Sequence, residues 1–88
     1  MPDDPAATIS DGVMVAHLEG EAILLDLDGK RYYRLNVTAQ RVWKGLEDRR
    51  SVEEIVGLLV AEFEVDRATA AAETTRILED LRTRGLVA

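Results

Sequence analysis

The hydrophobic period of this chain changes once, at Asn36. Upstream, apolar residues alternate with polar ones or gather in short β-branched runs; downstream they recur at helical spacing to the end. Strands first and helices afterwards select an α+β layer over an alternating parallel sheet. The stretch that spans the change, Gly29 to Trp43, reads as a turn, a strand, then the cap and first turns of a helix. No strand pattern follows it, so its strand has no later partner and is expected at a sheet edge. An unpaired edge can accept an extended peptide as an extra strand.

Three strand patterns precede Asn36. Val13 to Leu18 is a short β-branched run, Glu19-Gly20 a turn, and Glu21 to Leu27 a second run. Asp28-Gly29 predicts a two-residue type I′ hairpin, because that turn needs positive φ at both centres. Lys30 to Leu35 then returns as the third strand of an antiparallel meander ordered one-two-three. Alternation puts Arg31, Tyr33 and Leu35 on one face and Lys30, Tyr32 and Arg34 on the other. Leu35 leads into the helices, so its face is expected to be buried, with Tyr33 beside it. Residues 1–11, acidic and broken by Pro2 and Pro5, are expected to form a flexible tail, and 12–88 the domain. Ile9 is the one residue there that could begin a strand.

Downstream, Asn36 or Thr38 can cap a helix carrying Ala39, Val42, Trp43 and Leu46, running to about Asp48. Ser51-Val52-Glu53-Glu54 is a capping box. The helix it starts presents Ile55, Val56, Leu58, Leu59, Val60 and Phe63, and breaks at Glu64-Val65. Asp66 caps the last helix, Arg67 to about Arg84, whose apolar stripe is Ala70, Thr74, Ile77, Leu78 and Leu81. Gly85 is placed to end it in the left-handed conformation, with Leu86-Val87 folding back onto the core. The expected architecture is α+β and winged-helix-like, a three-stranded antiparallel sheet followed by three helices.

Composition narrows the function classes. A chain of 88 residues buries roughly 60–65% of its unfolded surface, one modest core, and leaves little room for a water-excluding catalytic cleft. There are no cysteines, which removes disulfides, thiolate metal sites and thiol nucleophiles and fits a reducing cytoplasm. The acidic, Pro-broken start is unlike a signal peptide, and no apolar run reaches membrane-spanning length. The net charge of −6 opposes sequence-independent nucleic-acid binding, which relies on phosphate neutralisation.

Candidate chemistry is sparse. His17 is the only histidine, with neither a second ligand type nor a nucleophile beside it. Glu53 and Glu54 are explained by the capping box, and Glu79 and Asp80 by a solvated helix face, so no pair has the neighbours acid–base catalysis needs. Asp26-Leu27-Asp28-Gly29 lacks the remaining ligands of a Ca²⁺ loop. No metal, cofactor or catalytic residue is expected. Lys30, Arg31, Arg34 and Arg41 form one basic concentration interleaved with Tyr32 and Tyr33. It reads as edge-strand protection, as a nucleic-acid patch, or as a site for a peptide's carboxylates.

The series Tyr32-Tyr33-Arg34-Leu35-Asn36-x-Thr38-Ala39-x-x-x-Trp43 resembles the PqqD-like family. The likeness extends through Ser51-Val52-Glu53-Glu54-Ile55, Phe63 and Asp66 to Leu81-x-x-x-Gly85-Leu86-Val87, leaving out only the tail. Members of this family are recognition elements for ribosomally made, modified precursor peptides (RiPPs), and a free-standing domain of this length is similar to the discrete leader-binding proteins of lasso peptide pathways. The resemblance implies that a leader peptide binds as an extra strand along Lys30, Arg31, Tyr32, Tyr33, Arg34 and Leu35. The other wall of its groove would be Ala70, Glu73, Thr74, Ile77, Asp80 and Leu81 of the last helix. Apolar leader residues would enter between Tyr33, Ile77 and Leu81. Basic ones would meet Glu73 and Asp80, and acidic ones Arg31 or Arg34. The implied role is a non-catalytic cytoplasmic adaptor that raises the precursor's effective concentration at a leader peptidase and a cyclase. The alternatives are a peptide chaperone of the quinone-cofactor (PQQ) pathway and a winged-helix DNA-binding regulator.

Overall fold

A computed structural model describes residues 4–88. Three strands, β1 (Val13–Leu18), β2 (Glu21–Asp26) and β3 (Arg31–Leu35), form an antiparallel sheet in the order β1-β2-β3. Three helices follow: α1 (Val37–Glu47), α2 (Val52–Phe63) and α3 (Arg67–Thr83). The expected class, order and number of elements are those observed, and both β1 and β3 are sheet edges.

Register shows why one face is covered. Val15, Leu24 and Tyr33 lie opposite one another across the three strands, as do Ala22 and Leu35. These side chains meet α1 and the helix layer, so Ala22, Leu24 and Leu35 join Val42, Trp43, Ile55, Leu59, Ile77, Leu78, Leu81 and Leu86 in the core. The opposite face carries the row Met14, Leu25 and Tyr32, all three exposed. At the α1–α2 crossing a β-carbon on Gly45 would lie 2.6 Å from Ile55 Cγ1, so the missing side chain lets the two helices approach.

The helix starts follow from their caps. Asn36, rather than Thr38, caps α1, its Oδ1 accepting from the Ala39 N–H at 2.8 Å. Ser51 and Glu54 form both bonds of the capping box, and Asp66 accepts from the Thr69 N–H at 2.8 Å. Donation from the Ser51 backbone and the Arg50 side chain holds the Glu54 carboxyl below the usual range. The Thr69 side chain and backbone do the same for Asp66. Gly85 takes φ +74 and ends the last helix as expected. Arg49 and Glu64 enter the left-handed region without being glycine, at φ 56 and φ 52.

Two expectations meet a different arrangement. The Asp28-Gly29 turn is not a two-residue type I′ hairpin: β2 ends at Asp26, β3 starts at Arg31, and the left-handed residue is Lys30, at φ 54. Asp26 Oδ1 accepts from the Gly29 N–H at 3.1 Å, and this local bond organises the longer loop. Gly29 serves by close approach, because a β-carbon there would lie 2.6 Å from Asp26 Oδ2. The second concerns residues 1–11, of which 1–3 fall outside the described residues. Residues 6–10, expected in the flexible tail, are packed as a strap against the other end of the chain. Ala7 is buried, Ile9 bridges Val87, Ser10 N–H donates to Leu86 O at 3.0 Å, and Ala88 N–H to Thr8 O at 2.8 Å.

Candidate functional site

The open side of β3 faces α3 across a gap. α3 packs on α1 and α2, yet none of its Cα atoms lies within 8 Å of one in β3. What fills the space is a cavity of about 360 Å³ lined by Tyr32, Tyr33, Arg34 and Leu35 on one side and Asp80, Leu81, Arg84 and Leu86 on the other. A smaller hollow of about 60 Å³ lies further along α3, between Thr38, Leu59, Phe63, Val65, Thr69, Ala70 and Glu73. The C-terminal part of α3 therefore stands beside β3, and its N-terminal part beside the start of α1.

The groove's polar groups are arranged in pairs. Arg84 Nε donates to Asp80 Oδ1 at 3.0 Å, and this hydrogen bond raises the guanidinium pKa further. Arg31 Nη2 reaches Asp26 Oδ2 at 3.4 Å. Arg34 turns to the other face and meets Glu21 at 3.2 Å. Glu73 accepts from Arg76 at 2.9 Å, which lowers its pKa. Tyr33 is half-buried, with the guanidinium carbon of Arg84 4.8 Å from its ring centre and that of Arg31 5.7 Å away.

The residues expected at the site fall into three groups. Tyr32, Tyr33, Arg34, Leu35, Asp80 and Leu81 line one space, and Arg31 stands at its edge, its Nη2 donating to the Arg84 carbonyl. Lys30 sits in the turn beyond β3, against a second cavity that includes Leu25, Leu27 and Tyr32. Ala70, Thr74 and Ile77 belong to the core: Thr74 is 0% exposed, donating to Ala70 O at 2.8 Å, and Ile77 is 5% exposed. They support the wall from behind. Ile77 does not line the cavity, so the expected entry of leader side chains beside it meets a closed position, while Tyr33 and the equally buried Leu81 form part of the cavity's lining. Glu73, at the smaller hollow, is paired with Arg76, and Asp80 with Arg84, so neither is a bare carboxylate. Arg84 and Leu86 line the cavity and were not among the expected residues; the Asp80–Arg84 spacing of four, at the end of a helix antiparallel to the strand, is the signal that points to Arg84. Among the described residues no three His, Asp or Glu side chains gather as a metal site, and no helix is long and apolar enough to cross a membrane.

Two solved structures resemble this chain over nearly its whole length. One, described as TbiB1 in complex with the TbiA(beta) leader peptide, is 36% identical with a TM-score of 0.86, covering 91% of this chain and 93% of the other. A second, described as lasso peptide synthetase B1 complexed with the leader peptide, is 25% identical with a TM-score of 0.87, covering 94% and 98%. No curated protein sequence matches. The family described as coenzyme PQQ synthesis protein D matches residues 21–87, which takes in β2, β3, all three helices and both walls of the groove. The chain belongs to the PqqD family.

Proposed function

We propose that this protein is a non-catalytic adaptor that binds the leader of a ribosomally made precursor peptide as a fourth strand on β3. The observation that carries this reading is the open edge facing α3 across more than 8 Å, with a cavity lined from both sides. A strand added to β3 would sit about 4.8 Å from it, on the side where the cavity lies. Its backbone would satisfy the free N–H and C=O groups of the edge, and alternate side chains would enter the cavity against Tyr33, Leu81 and Leu86. The two similar solved structures both hold leader peptides, which supports the same class of partner here. One of them is a lasso peptide synthetase component, and this favours a lasso pathway over the quinone-cofactor pathway.

In such a pathway the adaptor gains its effect by concentration. A leader held on β3 keeps the attached core peptide near whichever enzyme the adaptor touches, a leader peptidase or a cyclase. The cations of the groove are paired or stacked on Tyr33, which supports a binding role.

The test is a titration of the ¹⁵N-labelled protein with the TbiA(beta) leader and, separately, with duplex DNA at physiological salt. The reading expects peptide-induced shifts at Arg31–Leu35 and at Asp80, Leu81 and Arg84. Shifts confined to α2, or binding of DNA without binding of peptide, would overturn it.

A further inference from the structure

At the start of β3 the groove is spanned by three side chains. Arg31 and Tyr33 project from β3 on the α3 side, and Arg84 reaches back from the end of α3. The two guanidinium carbons lie 5.7 and 4.8 Å from the Tyr33 ring centre, and Arg31 Nη2 donates to the Arg84 carbonyl at 3.5 Å. Each guanidinium carries five N–H donors. Arg84 uses Nε on Asp80, and Arg31 uses Nη2 on Asp26 and on that carbonyl. The Tyr33 side chain also hydrogen-bonds the Arg84 guanidinium, and the three bonds to Asp80, Asp26 and the Arg84 carbonyl leave further donors on both groups. The side chains are 45% and 56% exposed, so those donors are reachable from solvent.

We infer that Arg31 and Arg84 read an acidic side chain, Asp or Glu, of the bound peptide at this end of the groove. The inference rests on strand addition at β3 and adds a specificity to it. Guanidinium forks match carboxylate geometry, and stacking on Tyr33 fixes their planes so that little freedom is lost on binding. A lysine in the same place would meet two cations. Arg34 is not the reader, because it lies on the opposite face and is occupied by Glu21. Side chains of an added strand alternate between faces. The acidic residue must therefore stand at an even spacing from the apolar residues that enter beside Leu81 and Leu86.

The experiment is display selection from a random twelve-residue peptide library against the full chain and against R31Q/R84Q, with folding of both checked by circular dichroism. R84K, which keeps the charge and the stem but not the fork, serves as the milder variant should the double one fail to fold. Peptides selected by the unaltered chain should carry Asp or Glu at one fixed position, two or four residues from an apolar one. Changing that residue to Asn or Gln should weaken binding about fivefold, the modest size set by exposure. The loss should shrink below about twofold against R31Q/R84Q and be intermediate against R84K. Selected peptides without an acidic preference, or with one that survives in the variants, would overturn the inference and leave strand addition standing. Failure to select any peptide that shifts β3 would overturn both.

Discussion

Strand addition has a signature in amide exchange that separates the two edges of the sheet. On any edge strand, alternate N–H groups point away from the neighbour, so β3, with five residues, holds about two or three amides free to solvent. These exchange without unfolding when the protein is alone. A leader strand would bond them, and exchange would then require dissociation. At free peptide of 100 times Kd the unbound fraction is about one in a hundred, so those amides should slow about 100-fold, equivalent to about 2.7 kcal/mol. At ten times Kd the slowing should be about elevenfold, a ratio that tests the mechanism as well as its size. The outward amides of β1 (Val13–Leu18) are the internal control, because β1 is the other edge of the same sheet. They should change less than about twofold, since they also exchange without unfolding and gain no partner. Hydrogen exchange read by NMR at single residues resolves the two sets. Equal slowing at both edges, or slowing at β1 alone, would refute the argument from the α3 wall.

Other outcomes follow from the packing. Glu64→Gly should raise stability by about 0.5–1 kcal/mol and the melting temperature by roughly 2–8 °C, because a left-handed L-residue is replaced by one without a β-carbon; Glu64→Ala should give no such gain. Ile77→Asp should cost on the order of 3–5 kcal/mol and abolish the folded circular-dichroism spectrum, because the carboxylate would lie in the core rather than in the groove. Glu54 and Asp66 have folded-state pKa values depressed by their cap bonds. Their stabilisation is therefore full above the ordinary carboxylate range and lost as pH falls through the lowered values. Melting temperature should drop below about pH 4, and Glu54→Gln should flatten part of that drop.

Much of this architecture could be read from local pattern, and the exceptions have physical causes. The switch from alternation to helical spacing at Asn36 located the strands and helices, because each element's burial repeats within a few residues. Ser51, Asp66 and Gly85 could be read because caps are short-range chemistry. The face of β3 followed from Leu35 alone, since parity propagates along a strand. Gly29 is ambiguous in the sequence because the same residue serves either positive φ or close approach, and only the position of the Asp26 carboxylate decides between them. Ala70, Thr74 and Ile77 were expected at the groove because a single stripe on α3 serves both core and wall, and the angle at which the helix lies on α2 divides it. The place of Arg84 at the groove is not legible locally, because its partner Tyr33 is 51 residues away by the numbering. Residues 6–10 carry no period at all; backbone bonds to the far end of the chain hold them.

Those bonds bear on how the domain lives and dies. The contact from Ser10 Oγ to Gly85 O spans 75 residues, and that from Arg82 to Ala6 O spans 76. Nothing rewards closing so large a loop until α3 and the end of the chain are already in place. The strap should thus be absent from the folding transition state and present only in the finished structure. Interactions of that kind leave the folding rate alone and slow unfolding. A chain trimmed of residues 1–10 should fold as quickly as the whole one in stopped-flow measurements and come apart sooner, so the strap sets how long a folded molecule lasts.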